Sequence, residues 1–317
     1  MDPRTLILVG GVLLVLATAT TVGQFLKRQR EIGINPALVQ QFNSRIRAWW
    51  LMCSVLAAAF LLGPASNVAT IIVFGLVSFW ALREFITLTP TRLGDHRALF
   101  WVFFLFTPLQ YWLISADIPA LYTVLIPVYG FLFIPARVAL AGDYKRFLER
   151  VAKIQAGLMV CVYCLSHAPA ILYLDLKLNE PPSGFEHARL LFFFVLIAQL
   201  NDVLQYAWGK LLGKRPIAPA INPSRTWEGF VGGFLSSGLL GMALYWATPF
   251  DPIVAAGMAM VIAVMGFAGG MTMSAIKRDR GVSDYGTLVT GHGGVLDRID
   301  SICFAAPVFF HLTRLYL

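Results

Sequence analysis

The apolar runs of this chain are too long and too numerous for a water-soluble core. A helix crosses the hydrocarbon layer of a bilayer with about 20 largely apolar residues. Runs of that order recur near residues 5–26, 48–64, 67–82, 98–114, 118–138, 154–174, 189–208, 230–248, 252–276 and 300–316. The pattern predicts an all-α, polytopic integral membrane protein with about ten transmembrane helices. Composition agrees: 13% of the residues are charged, against about 25% in an ordinary soluble domain, and the mean hydropathy is +0.70. The first run reads as a retained helix rather than a removed leader, because it is long, weakly basic at its start and followed by a basic loop.

The placement of charge tests the helix count. The formal net charge is +8. All of the 25 Lys and Arg residues except Arg4, Lys177, Arg189 and Arg314 fall in the loops after the first, third, fifth, seventh and ninth runs, helix-end charges included. Cytoplasmic loops carry such an excess, and one extra or missing span would invert every later loop. The split therefore predicts ten helices, both termini outside, and the basic loops in the cytoplasm. These residues form no long stripe, which argues against a nucleic-acid partner and for contact with anionic headgroups. No soluble domain, internal repeat or low-complexity tract interrupts the pattern. The chain divides into N-terminal transmembrane helices, 1–175, and C-terminal transmembrane helices, 176–317, where the polar motifs lie. Cys161 and Cys164 have CxxC spacing but sit inside an apolar run, and they read as small packing residues.

Three segments have the polar content to carry chemistry. In the seventh run, Gln199, Asp202 and Tyr206 share one helix face. An ionisable residue there costs about 2.5–3.5 kcal/mol on insertion scales and faces protein or water. It either locks helix packing or binds a cation or basic partner. The second segment is Asn222-Pro223-Ser224-Arg225-Thr226-Trp227-Glu228-Gly229. It reads equally as a helix start, capped by Asn222 or Thr226, and as a phosphate site at a helix N-terminus with Arg225 adding charge.

The third runs from Ser274 through Lys277, Arg278, Asp284 and Gly286 to Gly291, His292, Gly293, Gly294, Asp297, Arg298 and Asp300. Glycines let backbone approach a ligand closely, the cations can neutralise phosphates, and the aspartates can hold Mg²⁺, which favours carboxylates together with substrate phosphates. Residue by residue, plainer readings exist. Lys277 and Arg278 can snorkel at a helix end, Asp297 or Asp300 can cap the last helix, and His292 can be a turn residue. The set as a whole needs all of these coincidences at once.

The run from Ser274 to Asp300 resembles the signature of the phosphatidate cytidylyltransferases, or CDP-diacylglycerol synthases, of a divergent bacterial branch. The matching positions are Ser274, Lys277, Arg278, Asp284, Gly286, His292, Gly293, Gly294, Asp297, Arg298 and Asp300. The segments around Asp202 and around Pro223, Thr226, Glu228 and Gly229 are similar to their counterparts, so the resemblance covers about 199–301. It implies transfer of CMP from CTP to phosphatidate, with Mg²⁺ as cofactor and membrane lipid as surroundings. It places the enzyme in a bacterial inner membrane with its site facing the cytoplasm, and it allows a homodimer.

The resemblance implies Lys277, Arg278, Asp284, His292, Asp297 and Arg298 as catalytic residues. Ser274, Arg225, Thr226, Glu228, Gly293 and Gly294 would contact substrate. Asp202, Asp284, Asp297 and Asp300 would hold metal. Four positions depart from the pattern: Ser283 stands where the family usually has Lys, Gly270 where it has an acidic metal ligand, Thr290 where it has Pro or Gly, and Asn222 where it has Ser. The first two bear on metal number and pyrophosphate handling. They keep open a transfer to another lipid acceptor and a non-catalytic, lipid-binding descendant.

Overall fold

The computed structural model describes residues 66–88, 91–176, 185–282, 284–285 and 293–317, with scattered helical positions between Ile7 and Gln24. Helices dominate, and the protein is an all-α polytopic membrane protein. Six of the described helices are long and apolar enough to cross a membrane. They are α1 Ser66–Leu88, α2 Leu93–Ser115, α3 Pro119–Ala139, α4 Phe147–Tyr173, α5 Glu186–Leu212 and, after one further helix, Pro252–Asp279. That further helix is α6, Trp227–Ala243; Pro252–Asp279 is α7, and Leu296–Tyr316 is α8.

Eight of the ten predicted runs thus coincide with described helices. The first run is helical where it is described, and the second, 48–64, lies outside the described residues. The last helix is less apolar than the rest because Asp297, Arg298 and Asp300 occupy its first turns.

Local chemistry explains the irregular places. Wide π turns occupy Val102–Phe106 in α2, Leu125–Gly130 in α3 and Met159–Cys164 in α4. Pro127 lies within one, and Pro108 follows another. Proline removes an N–H from the ladder, and such turns accommodate the gap. The Thr107 hydroxyl donates to the Val102 carbonyl at 2.9 Å beside it. Cys161 and Cys164 fall in the third wide turn as free thiols, Cys161 fully buried. Their CxxC spacing serves packing, as expected.

Between α5 and α6 the chain forms a small antiparallel hairpin, β1 Pro216–Ala218 with β2 Asn222–Thr226. Of the two cap readings, Thr226 is the one realised: its Oγ1 accepts the Gly229 N–H at 3.1 Å and starts α6. Asn222 lies in the strand instead. Pro216 and Pro223 suit a two-stranded hairpin, in which both strands are edges.

Helices α5, α6, α7 and α8 pack in sequence order, and α8 also packs against α4 and α1. Small residues bring backbones close where no side chain fits. A Cβ at Gly269 of α7 would collide with the Asp300 carbonyl of α8. Phe193 and Phe194 of α5 and Phe309 and Phe310 of α8 are fully buried, with the Phe194 and Phe309 rings stacked at 5.1 Å. A buried ion pair fixes the start of α2 to the start of α4. Arg150 Nε donates to Asp95 at 2.9 and 3.0 Å, and both side chains are closed off from solvent.

Candidate active site

The polar residues of the three segments converge at one end of the bundle. The C-terminal ends of α1 and α7, the second half of α5, strand β2 and the N-terminal end of α8 meet there.

Lys277, in the last turn of α7, sends its ammonium to Asp297 Oδ1 at 2.7 Å. Asp297 lies in the first turn of α8. Its other oxygen accepts two backbone N–H groups, Tyr285 at 2.8 Å and Gly294 at 2.9 Å. The pair is partly open to solvent, 18% for Lys277 and 11% for Asp297. Both plainer readings are thereby refined. Lys277 turns inward instead of snorkelling, and Asp297 does not cap α8 but holds the backbone ahead of it while keeping one oxygen toward Lys277.

Gly293 has a φ of +79°, a conformation that side chains disfavour. A Cβ on it would lie 2.9 Å from Asp297 Oδ2 and 3.1 Å from Asp284 Oδ1. The glycine therefore lets Asp284 and Asp297 approach the same stretch of backbone. Tyr285 donates its phenol to the Met273 carbonyl at 3.0 Å. Burial, aided by the Asp297 charge, raises its pKa far above the usual phenol value. It stays protonated and is not an acid–base group at neutral pH.

A second cluster lies beside the first. Arg225 of β2 reaches α5, donating to Asp202 Oδ1 at 2.8 Å and to Gln205 Oε1 at 2.7 Å. A Cβ on Gly270 would lie 3.5 Å from the Arg225 guanidinium and 3.7 Å from Asp300 Oδ2. The absence of a side chain at position 270 leaves room where the arginine and Asp300 face one another, and Asp202 adds its negative charge to the same space. Gln199, one turn before Asp202, donates to the Arg298 carbonyl at 2.9 Å. The shared face of Gln199 and Asp202 thus touches both the second and the third motif.

The remaining predicted residues take several places. Ser274 accepts from Asn222 Nδ2 at 3.3 Å and donates to the Gly270 carbonyl at 2.7 Å. Arg278 is exposed and donates to the Ile221 carbonyl at 3.1 Å. Thr226 and Glu228 hold the hairpin: Glu228 Oε2 accepts the N–H groups of Lys214 at 3.1 Å and Arg215 at 3.2 Å. Its own backbone N–H first, and then that of Lys214, keep its carboxyl below the usual carboxylate range. Gly286 and His292, with the departures at Ser283 and Thr290, lie outside the described residues.

Sequence reasoning missed Glu84. This α1 carboxylate is 4% exposed and accepts the N–H groups of Val295 at 3.0 Å and Leu296 at 2.9 Å. The one signal was a lone acid at the end of an apolar run.

A cation fits the donor set in a limited way. Among the described residues, no three of His, Cys, Asp and Glu form a group able to hold a metal by themselves. Mg²⁺ does not require one: it keeps several waters and binds through one or two carboxylates plus substrate phosphates. Asp284 with Asp297, or Asp202 with Asp300, offers hard carboxylate oxygens of that kind, each pair beside a cation that could turn to a phosphate.

This arrangement of aspartates and cations around glycines at the end of a helix bundle accords with the comparison to known proteins. The chain belongs to the cytidylyltransferase family, which matches residues 43–316. It is 39% identical over 277 residues to a protein of Escherichia coli (strain K12) named "Uncharacterized protein YnbB", covering 85% of this chain and 86% of that one. It is 35% identical over 125 residues to the phosphatidate cytidylyltransferase of Staphylococcus aureus (strain COL), covering 39% of this chain and 48% of the relative. For the phosphatidate cytidylyltransferase of Staphylococcus saprophyticus the identity is 32% over 162 residues, with 50% and 61% covered. The chain thus spans about half the length of the phosphatidate cytidylyltransferases it matches.

Proposed function

We propose that this protein transfers CMP from CTP to phosphatidate, releasing pyrophosphate and leaving CDP-diacylglycerol in the membrane. The observation that carries the reading is the convergence of Lys277, Asp297, Asp284, Arg225, Asp202 and Asp300 at one end of the bundle, in a chain of the cytidylyltransferase family. The basic loops argue that this end faces the cytoplasm, where CTP is found, and a bacterial inner membrane is the expected location.

In this reading a phosphate oxygen of the lipid attacks the α-phosphorus of CTP, and the bond to the β-phosphate oxygen breaks. The attacking oxygen is already anionic, so no strong general base is required. Positioning and charge neutralisation then supply the rate. Lys277, Arg278, Arg298 and Arg225 are the phosphate-binding cations. Lys277 and Arg225 are held by aspartates until a phosphate competes for them. Gly293 and Gly294 let backbone lie against the nucleotide. Asp297 with Asp284, and Asp202 with Asp300, would hold Mg²⁺, which supplies positive charge to the triphosphate when bound.

The test is transfer of labelled CMP from CTP to phosphatidate by purified protein in detergent, with and without Mg²⁺. Mg²⁺-dependent CDP-diacylglycerol is the expected result. Folded protein that binds CTP but gives no product on phosphatidate sinks the acceptor assignment, and protein that binds no CTP sinks the enzyme. The alignment to YnbB is longer than those to the named enzymes, which supports a second reading, a CTP-dependent transfer to another lipid acceptor. A panel of lipid phosphates and prenyl alcohols in the same assay separates the two.

A further inference from the structure

We infer that Glu84 is a positioning residue for this reaction, acting through the backbone that carries Gly294 and Asp297; the inference rests on the function proposed above. The first N–H groups of a helix have no partner within it, and at α8 Glu84 takes two of them, while Asp297 takes the N–H just ahead of the helix. Asp297 accepts Gly294 from within the helix, while Glu84 accepts Val295 and Leu296 from α1. The segment from Gly294 to Leu296 is thus suspended between one local and one distant acid. A carboxylate is also the favoured charge at a helix N-terminus.

The geometry is specific to this pair of residues. Each Glu84 oxygen accepts one backbone N–H, so the carboxylate is held by the main chain that leads into α8. A glutamine there would turn an NH₂ toward one of the two N–H groups. A Cβ on Gly294 would run into the Glu84 carboxylate, so that position requires glycine because of Glu84 and not because of its own φ. Withdrawing the carboxylate frees two N–H groups next to Asp297, and Asp297 loses the fixed backbone from which its carboxylate is aimed.

The experiment compares the full-length protein with Glu84→Ala, Gly294→Ala, the double variant and the isosteric Glu84→Gln, all in detergent. The turnover number, the Mg²⁺ concentration for half-maximal rate and the thermal midpoint are read for each. Each single change should lower turnover tenfold or more and raise the Mg²⁺ half-saturation at least threefold. The double variant should be no worse than the poorer single, because Gly294→Ala acts by dislodging Glu84. The thermal midpoints should show the same non-additivity.

A merely structural Glu84 would lower the amount of folded protein and leave the Mg²⁺ half-saturation of the rest unchanged. That result overturns the inference, as do independent losses that multiply in the double variant. Glu84→Gln preserves volume and carries the test if Glu84→Ala does not fold. If the wild type makes no product from any lipid, the proposed function fails and the catalytic meaning of Glu84 goes with it. The midpoint cycle, which needs no activity, would still decide whether Glu84 and Gly294 are coupled.

Discussion

Two acid–base pairs at the same end of the bundle, Arg150 with Asp95 and Lys277 with Asp297, use the same chemistry to different ends. Arg150 and Asp95 are 3% and 1% exposed. Arg150 also donates to the carbonyls of Asp143 at 2.8 Å and Lys145 at 3.0 Å, and Asp95 takes the Arg92 N–H at 2.9 Å. Nothing is left over for a ligand. Lys277 and Asp297 are several times more exposed, they border a glycine in a left-handed conformation, and the lysine has donors free for another acceptor. Saturation and exposure, rather than the presence of a charge in a membrane helix, separate the structural pair from the one that could exchange partners.

The comparison can be broken by experiment. The largest effect is expected at the closed pair. Asp95→Ala leaves a buried guanidinium without its counter-ion and should destabilise the protein by about 3–5 kcal/mol, read by thermal or denaturant unfolding in detergent. Transfer per folded molecule should not change, and a specific loss of activity would put Asp95 in the site. Asp297→Asn should do the reverse: transfer falls at least about a hundredfold while the protein stays folded. Activity near wild type would refute the role given to Asp297.

Arg225→Lys keeps the charge but breaks the fork between Asp202 and Gln205. A loss of about tenfold in kcat/KM for CTP is expected, and an unaltered value would make Arg225 a packing residue. The smallest effect is at the hairpin. The depressed carboxyl pKa of Glu228 means that its stabilisation is present above the usual carboxylate value and lost as pH falls through the lower, folded value. Glu228→Gln should therefore melt below wild type at neutral pH, with the gap closing on acidification; a gap that does not depend on pH would refute the electrostatic account.

The helices were legible because a bilayer imposes length and apolarity on every span, and neither depends on what the span touches. The common face of Gln199 and Asp202 was legible for the same reason, since helical periodicity is local. The hairpin was not. Pro216-to-Thr226 has three prolines among four apolar and four polar residues, without the alternation that marks a strand, and its base is tied by Glu228 accepting the N–H groups of Lys214 and Arg215. Gly270 was visible as an oddity in a motif, but that it faces Arg225 and Asp300 required the packing of α7 on β2 and α8. Glu84 was the least legible, because its partners lie 211 and 212 residues away and no spacing rule reaches so far.

That separation has a consequence for biogenesis. A ribosome adding about 5–20 residues per second needs on the order of ten to forty seconds to pass from Glu84 to Leu296. Through that interval the nascent protein carries an acid whose eventual donors have not been made. Until α8 arrives, that carboxylate needs water or some other donor in their place. Glu84 gains its donors only when α8 arrives, and a chain interrupted before that point would also lack Asp297 and Asp300.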